Sequence, residues 1–157
     1  PTKQRLIMIC SICKKTITDP ESIRRGIGPD CWAKMQWEAE QRDRENEVLY
    51  IGFNDELRVG FTPQGKRYTT IPHLWVKHSP TGFAWGYGGS GPADLAFNTL
   101  LAFGEPIPSC YRLYQAFKEE IIAAIPKEGG TISGDTIRHW IAQHATNKVA
   151  QPALLSL

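Results

Sequence analysis

Residues 10–35 read CSICKKTITDPESIRRGIGPDCWAKM, and the fold turns on how the three cysteines in this stretch are used. Cys10-Ser11-Ile12-Cys13 spaces two thiols so that one ion can be gripped through a tight knuckle, and Lys14 and Lys15 follow directly to offset the negative charge of thiolates. Cys31 comes after Gly26-Ile27-Gly28-Pro29-Asp30, which reads as a turn into a helix. Pro29 suits the first helical position, and Cys31 then falls in the first turn, where open amides and the helix dipole favour a thiolate. A knuckle joined to a helix N-terminus is the treble-clef arrangement, and it predicts zinc at Cys10, Cys13 and Cys31. The competing readings are weaker. With no export signal at the start PTKQRLIMIC, a reducing cytoplasmic setting is expected, which disfavours a disulfide. A thioredoxin-type pair would open a helix after a strand in a βαβ unit, and none is visible. Buried cysteines packed as small hydrophobes are the remaining alternative. The places where a treble clef takes its fourth ligand hold Lys34 and Met35. Closure therefore falls to Asp30 locally, or to His73, His78, Cys110, His139 or His144 from elsewhere.

Working outward, the helix from Asp30 is expected to run to about Glu45, with Trp32, Met35 and Ala39 on one face. Trp32 and Trp37 are both expected to pack. The charged stretch QRDRENE marks a boundary. VLYIGF and ELRVGF then read as strands, Pro63-Gln64-Gly65-Lys66 as a turn, and RYTTIPHLWVK as a strand interrupted by Pro72. Helices are expected at PADLAFNTLLAF, at SCYRLYQAFKEEIIAAI with Ser109 as cap and Leu113, Phe117, Ile121 and Ile125 as its stripe, and from about Ser133 to Ala145 with Ile137 and Trp140 inward. The fold class is α+β: a small treble-clef-like zinc module, then a short antiparallel sheet packed with about three helices. The divisions are 1–47 for the zinc module and its charged helix, 48–147 for the α+β domain, and 148–157 for a short tail.

The segment GFAWGYGGSGPADLA, residues 82–96, holds four glycines within six residues, at Gly86, Gly88, Gly89 and Gly91. Such glycines supply left-handed backbone or close approach, and here they lead into a helix N-terminus whose open amides can cradle an anion. The loop lacks the Gly-Lys-Ser/Thr of a phosphate loop and does not follow a strand in a βαβ unit. Two readings stand: a tight turn packing Trp85 and Tyr87, or a ligand or partner site at Trp85, Tyr87, Gly88, Gly89, Ser90, Gly91 and Asp94, with Asp94 in the helix's first turn.

Composition names no reaction. The chain has 157 residues, is 41% hydrophobic and 22% charged, and carries +2, too balanced to announce a nucleic-acid binder by charge alone. No apolar run approaches the roughly 18 residues that span a bilayer, so no membrane partner is expected. The first 35 residues nevertheless set seven bases against three acids, and Lys14, Lys15, Arg24 and Arg25 form a basic patch suited to nucleic acid or to an acidic partner. There is no Gly-x-Ser-x-Gly elbow, no His-Glu-x-x-His and no deaminase signature. His139 and His144 are five residues apart and lie on different helix faces. His78-Ser79 precedes the glycine loop, but sequence gives a Ser/His pair no geometry, and no catalytic residue is assigned.

Two resemblances complete the reading. Residues 10–35, with their CxxC, DPES and GxGPxC marks, resemble a small uncharacterised bacterial and phage domain. Residues from about Val48 to Ala145, with HSPTGFAWGYGGSGPADLAFNTLL, YQAFKEEIIAAIP and a last helix containing IRHWI, resemble a second uncharacterised bacterial and phage domain family. Neither resemblance brings an activity; what they imply is a phage, plasmid or integrative-element setting. The function expected is a non-enzymatic, zinc-stabilised binding protein that occupies a macromolecular surface. Its partner would be a protein or protein–nucleic-acid complex, such as a host-defence (anti-CRISPR-like) or nucleic-acid-processing one. A small-ligand protein taking a phosphate-bearing nucleotide at the glycine loop is the first alternative, and a DNA-binding accessory protein the second. The sequence carries no signal of an oligomeric state.

Overall fold

The computed structural model describes residues 8–46, 48–75 and 82–155, so His78 and Ser79 lie outside the described residues. Strands β1 (Met8–Ile9) and β2 (Thr16–Ile17) form a two-stranded antiparallel hairpin. A short helix that the sequence reading missed, α1 (Pro20–Arg25), follows at once. Asp19 caps it by accepting from the Ser22 amide at 2.9 Å, Pro20 opens it, and Gly26 closes it at φ +80°. Those are ordinary start and stop signals, and they would have located it. Helix α2 (Pro29–Asn46) begins at the proline as expected. Trp32 packs against the core, but Trp37 is 63% exposed, contrary to expectation, because it lies off the face shared by Trp32, Met35 and Ala39.

The second sheet has the order β3 (Leu49–Tyr50), β5 (Arg67–Thr69), β4 (Glu56–Phe61), β6 (Gly129–Ser133). Strands β4 and β5 pair antiparallel as expected, and β6 adds antiparallel to the other edge of β4, whereas β3 joins β5 in parallel through two residues only. Strand β6 was unforeseen because GGTIS looks like a turn. Its glycines are there for close approach: Gly129 sits at φ +118°, where a Cβ would run into the Val59 carbonyl of β4. Gly129→Ala is therefore expected to cost about 3 kcal/mol, through left-handed strain and overpacking. Thermal unfolding should show a Tm loss on the order of 10 °C. A shift within about 2 °C would mean that β4 and β6 can separate freely at this point.

Helix α3 (Ser90–Ala102) is the axis of the core, with every residue from Gly91 to Leu101 buried. It begins two residues before the expected Pro92. Helix α4 (Ile107–Phe117) packs on it and begins with Pro106 as its cap, so Ser109 lies inside the helix and does not cap it. A π-turn, Lys118–Ile122, extends α4. The wider turn adds a residue, which moves the fully buried position from the expected Ile121 to Ile122. Helix α5 (Gly134–Leu155) runs well past Ala145. It buries Ile137 and Trp140, the latter edge-on to Phe117 with ring centroids 5.0 Å apart. No helix among the described residues is long and apolar enough to cross a membrane.

One buried cluster joins the N-terminal hairpin to the rest of the chain. It includes Cys10, Ile17 and Ile27 together with Leu57, Leu100, Ile107 and Phe117. Gly26 stands so close to Pro108 of α4 that a Cβ on it would fall 2.5 Å from the proline ring.

Candidate functional site

The hairpin places Cys10 at the end of β1 and Cys13 in the turn before β2, while α2 brings Cys31 in its first turn. The knuckle is held by Lys14 in left-handed backbone at φ 65°, with its amide donating to the Cys10 carbonyl at 3.1 Å. Ser11 then ties the knuckle to the helix approach, since its amide and hydroxyl both donate to the Gly26 carbonyl, at 3.1 and 2.8 Å. The three sulfurs all lie within 4.8 Å of one another, and this cluster can hold a metal ion. Cys10 is buried, Cys31 partly buried and Cys13 exposed, so the cluster lies at the surface end of the core.

The electrostatics suit a cation. Burial pushes the Cys10 thiol up, but hydrogen bonds with the backbone at Gly28, Cys13 and Ile12, and with the Cys13 thiol, outweigh it and bring it down to about 6. Burial also pushes Cys31 up, and its neighbours Cys13 and Cys10 add to that, to about 11. The cluster thus carries a thiolate at Cys10 near neutrality and resists a further negative charge until a cation balances it. Metal uptake must then release protons, and acid must reverse it. Metal release followed with a chromophoric chelator is expected to steepen as pH falls through about 6, where Cys10 itself takes a proton. A flat profile down to the carboxylate range would exclude thiolate ligation by Cys10.

Among the described residues no further Cys, His, Asp or Glu joins the three cysteines. Asp30 is exposed in the first turn of α2. His73 packs against Phe83 with the rings tilted and their centroids 4.4 Å apart, and the buried Cys110 thiol faces the Glu105 carbonyl at 3.6 Å. His139 lies on α5, and His144 is engaged by the Trp140 carbonyl and Glu120. The basic patch is partly neutralised. Arg24 pairs with Glu21 at 2.8 Å and Arg25 lies over the Trp32 ring at 4.7 Å, while Lys14 and Lys15 remain exposed.

The glycine loop is more closed than the sequence suggested. Gly91 is buried, and a Cβ on it would meet the Ala84 Cβ at 2.7 Å; Asp94 is fully buried a turn beyond the helix start. Asp94 is therefore not in the first turn, because α3 starts earlier. Trp85 is also buried, only 6% exposed, and its indole donates to the Lys127 carbonyl at 3.1 Å. Tyr87, by contrast, is 54% exposed, and Gly88 and Ser90 lie at the surface beside it. A groove of about 290 Å³ opens next to Tyr87, walled by Phe61, Arg67, Ala84, Trp85 and Lys127.

Residues 54–143, more than half of the chain, match the model of a family described only as a family of unknown function, DUF6166. The chain belongs to the DUF6166 family. The first 36 residues, which include the whole cysteine cluster, match a second family of unknown function, DUF6011. No curated protein and no solved structure matched the chain. The DUF6166 region holds a residue that sequence reasoning missed. Asn98 of α3 accepts from the Leu74 and Trp75 amides at 2.6 and 2.8 Å and donates to the Trp75 and Asp94 carbonyls, both at 2.8 Å. Three of these four bonds reach a segment 23 or 24 residues away in sequence, so no local pattern announced it.

Proposed function

We propose that this chain is a zinc-stabilised, non-catalytic binding protein of a phage or other mobile element that acts by occupying a macromolecular surface. The observation that carries the reading is the position of the cysteine cluster: Cys10 belongs to the same buried core as α3 and α4. An ion there fastens the N-terminal hairpin and α2 to the body of the protein, which is structural work. Three thiolates in a knuckle-and-helix frame suit zinc, whose bonds to sulfur are about 2.3 Å and set ligand sulfurs about 3.8 Å apart around a tetrahedral ion. The contact surface in this reading is the exposed side of the glycine loop at Tyr87, with Lys14 and Lys15 as a second basic point. A host-defence or nucleic-acid-processing complex is the partner class it fits.

Native mass spectrometry of protein purified without chelator tests the metal half. One zinc per chain is the expected result. A folded chain with no metal and three titratable thiols, or one holding iron, would refute it.

A further inference from the structure

The groove beside Tyr87 combines two chemistries, aromatic and cationic. Phe61 of β4 and Arg67 of β5 are direct cross-strand partners, so their side chains rise from the same face of the sheet. Phe61 lies against Trp85 with ring centroids 5.4 Å apart and is itself 47% exposed. Arg67 donates from Nη1 to the Phe83 carbonyl at 2.5 Å, which holds its positive charge at the groove wall. Opposite, the bond from the Trp85 indole to the Lys127 carbonyl anchors the backbone of an exposed lysine at the rim. The described lining is therefore three aromatic rings and two cations, with no carboxylate among them.

We infer that this groove takes one nucleotide unit of a single-stranded nucleic acid, its base stacked on the exposed ring surface of Tyr87 and Phe61 and its phosphates on Arg67 and Lys127. Aromatic platforms beside cations bind single strands without sequence readout, because every base has a π-face and every linkage a charge. The groove is shallow on the side of Tyr87 and Phe61, whose rings are about half exposed, so it does not enclose a whole ligand. Such a groove covers one base and leaves the chain to run on past both ends. The inference rests on the reading of this chain as a surface-occupying protein and names the chemistry of what it occupies.

Fluorescence anisotropy with a labelled ten-residue oligothymidylate, on protein shown to be zinc-loaded and folded, tests it. The wild type should bind the oligonucleotide in preference to a ten-base-pair duplex and to adenosine monophosphate. Tyr87→Ala should weaken binding about tenfold through lost stacking. Lys127→Ala should lower the slope of log affinity against log salt by about 0.7, the value for one single-strand phosphate contact. Both side chains are exposed, so both variants should keep the wild-type Tm and zinc content; if one does not, the other carries the test. Equal binding by folded Tyr87→Ala and Lys127→Ala, or no binding by the loaded wild type, would overturn the groove assignment and leave the surface-occupying reading standing. Preference for the duplex would overturn the single-strand chemistry. Adenosine monophosphate binding as tightly as the oligonucleotide would overturn both this inference and the surface-occupying reading, in favour of a small-ligand protein.

Discussion

Cys10→Ser is expected to take bound metal from one ion per chain to none and to lower the Tm by on the order of 15 °C. The size follows from where the cluster sits. In zinc-finger peptides the ion supplies about 10–16 kcal/mol, because nothing else holds the fold. Here Ile17 and Ile27 pack into a core shared with α4, and Gly26 abuts Pro108, so part of the module's order does not depend on the ion. A loss of about 5 kcal/mol is the expected compromise, and a domain of this length converts each kcal/mol into about 2–4 °C. Cys110→Ala is the control. That thiol is equally buried but faces a carbonyl and not the cluster, so its loss should be small and leave the metal in place. Equal effects from the two substitutions would mean that Cys10 matters as packing and not as a ligand.

Asn98→Leu is expected to be the most damaging single substitution away from the cysteines. Its shape is close to that of asparagine, so the effect isolates the hydrogen bonds. It would strand the Leu74 and Trp75 amides and the Trp75 carbonyl, each leaving a desolvation penalty of about 1–3 kcal/mol. Partial relaxation of the 72–75 segment brings the expected total to about 4 kcal/mol, a Tm loss on the order of 10 °C. The near-UV circular dichroism should change as well, since Trp75 stacks on Phe97 at 5.6 Å and both sit beside the clamp. A variant with wild-type Tm would show that water can replace the side chain and that the clamp contributes little.

What the sequence made legible divides along a physical line. Cys10, Cys13 and Cys31 could be grouped because one ion dictates both the spacing of a knuckle and the charge at a helix start, and both constraints are local. The starts of α2 and the inward faces of α5 were legible for the same reason, from Pro29 and from the spacing of Ile137 and Trp140. Strand β3 was over-read and β6 was missed because a two-residue edge pairing has no period, and because glycines that permit close approach look like glycines that make turns. Trp85 packs as the tight-turn reading of the loop has it while Tyr87 does not, and nothing local separates the two; Lys127, 42 residues away, holds the Trp85 indole in place. The groove at Tyr87 is non-local in the same sense, drawing on β4, β5, the glycine loop and the approach to β6.

The π-turn at Lys118–Ile122 has a consequence for which changes in length this chain can survive. Deleting Glu119, which is exposed, would restore a regular α-helix there, and because the wide turn holds one residue beyond the α-helical count, the chain beyond it would keep its facing. Ile122 would become the fourth residue after Phe117 and stay on the stripe that Leu113 and Phe117 bury. Losing a residue from the regular part of α4 would instead rotate everything beyond by about 100° and carry Ile122 and Ile125 out of the core. Tolerance of a changed length is therefore concentrated at this one turn.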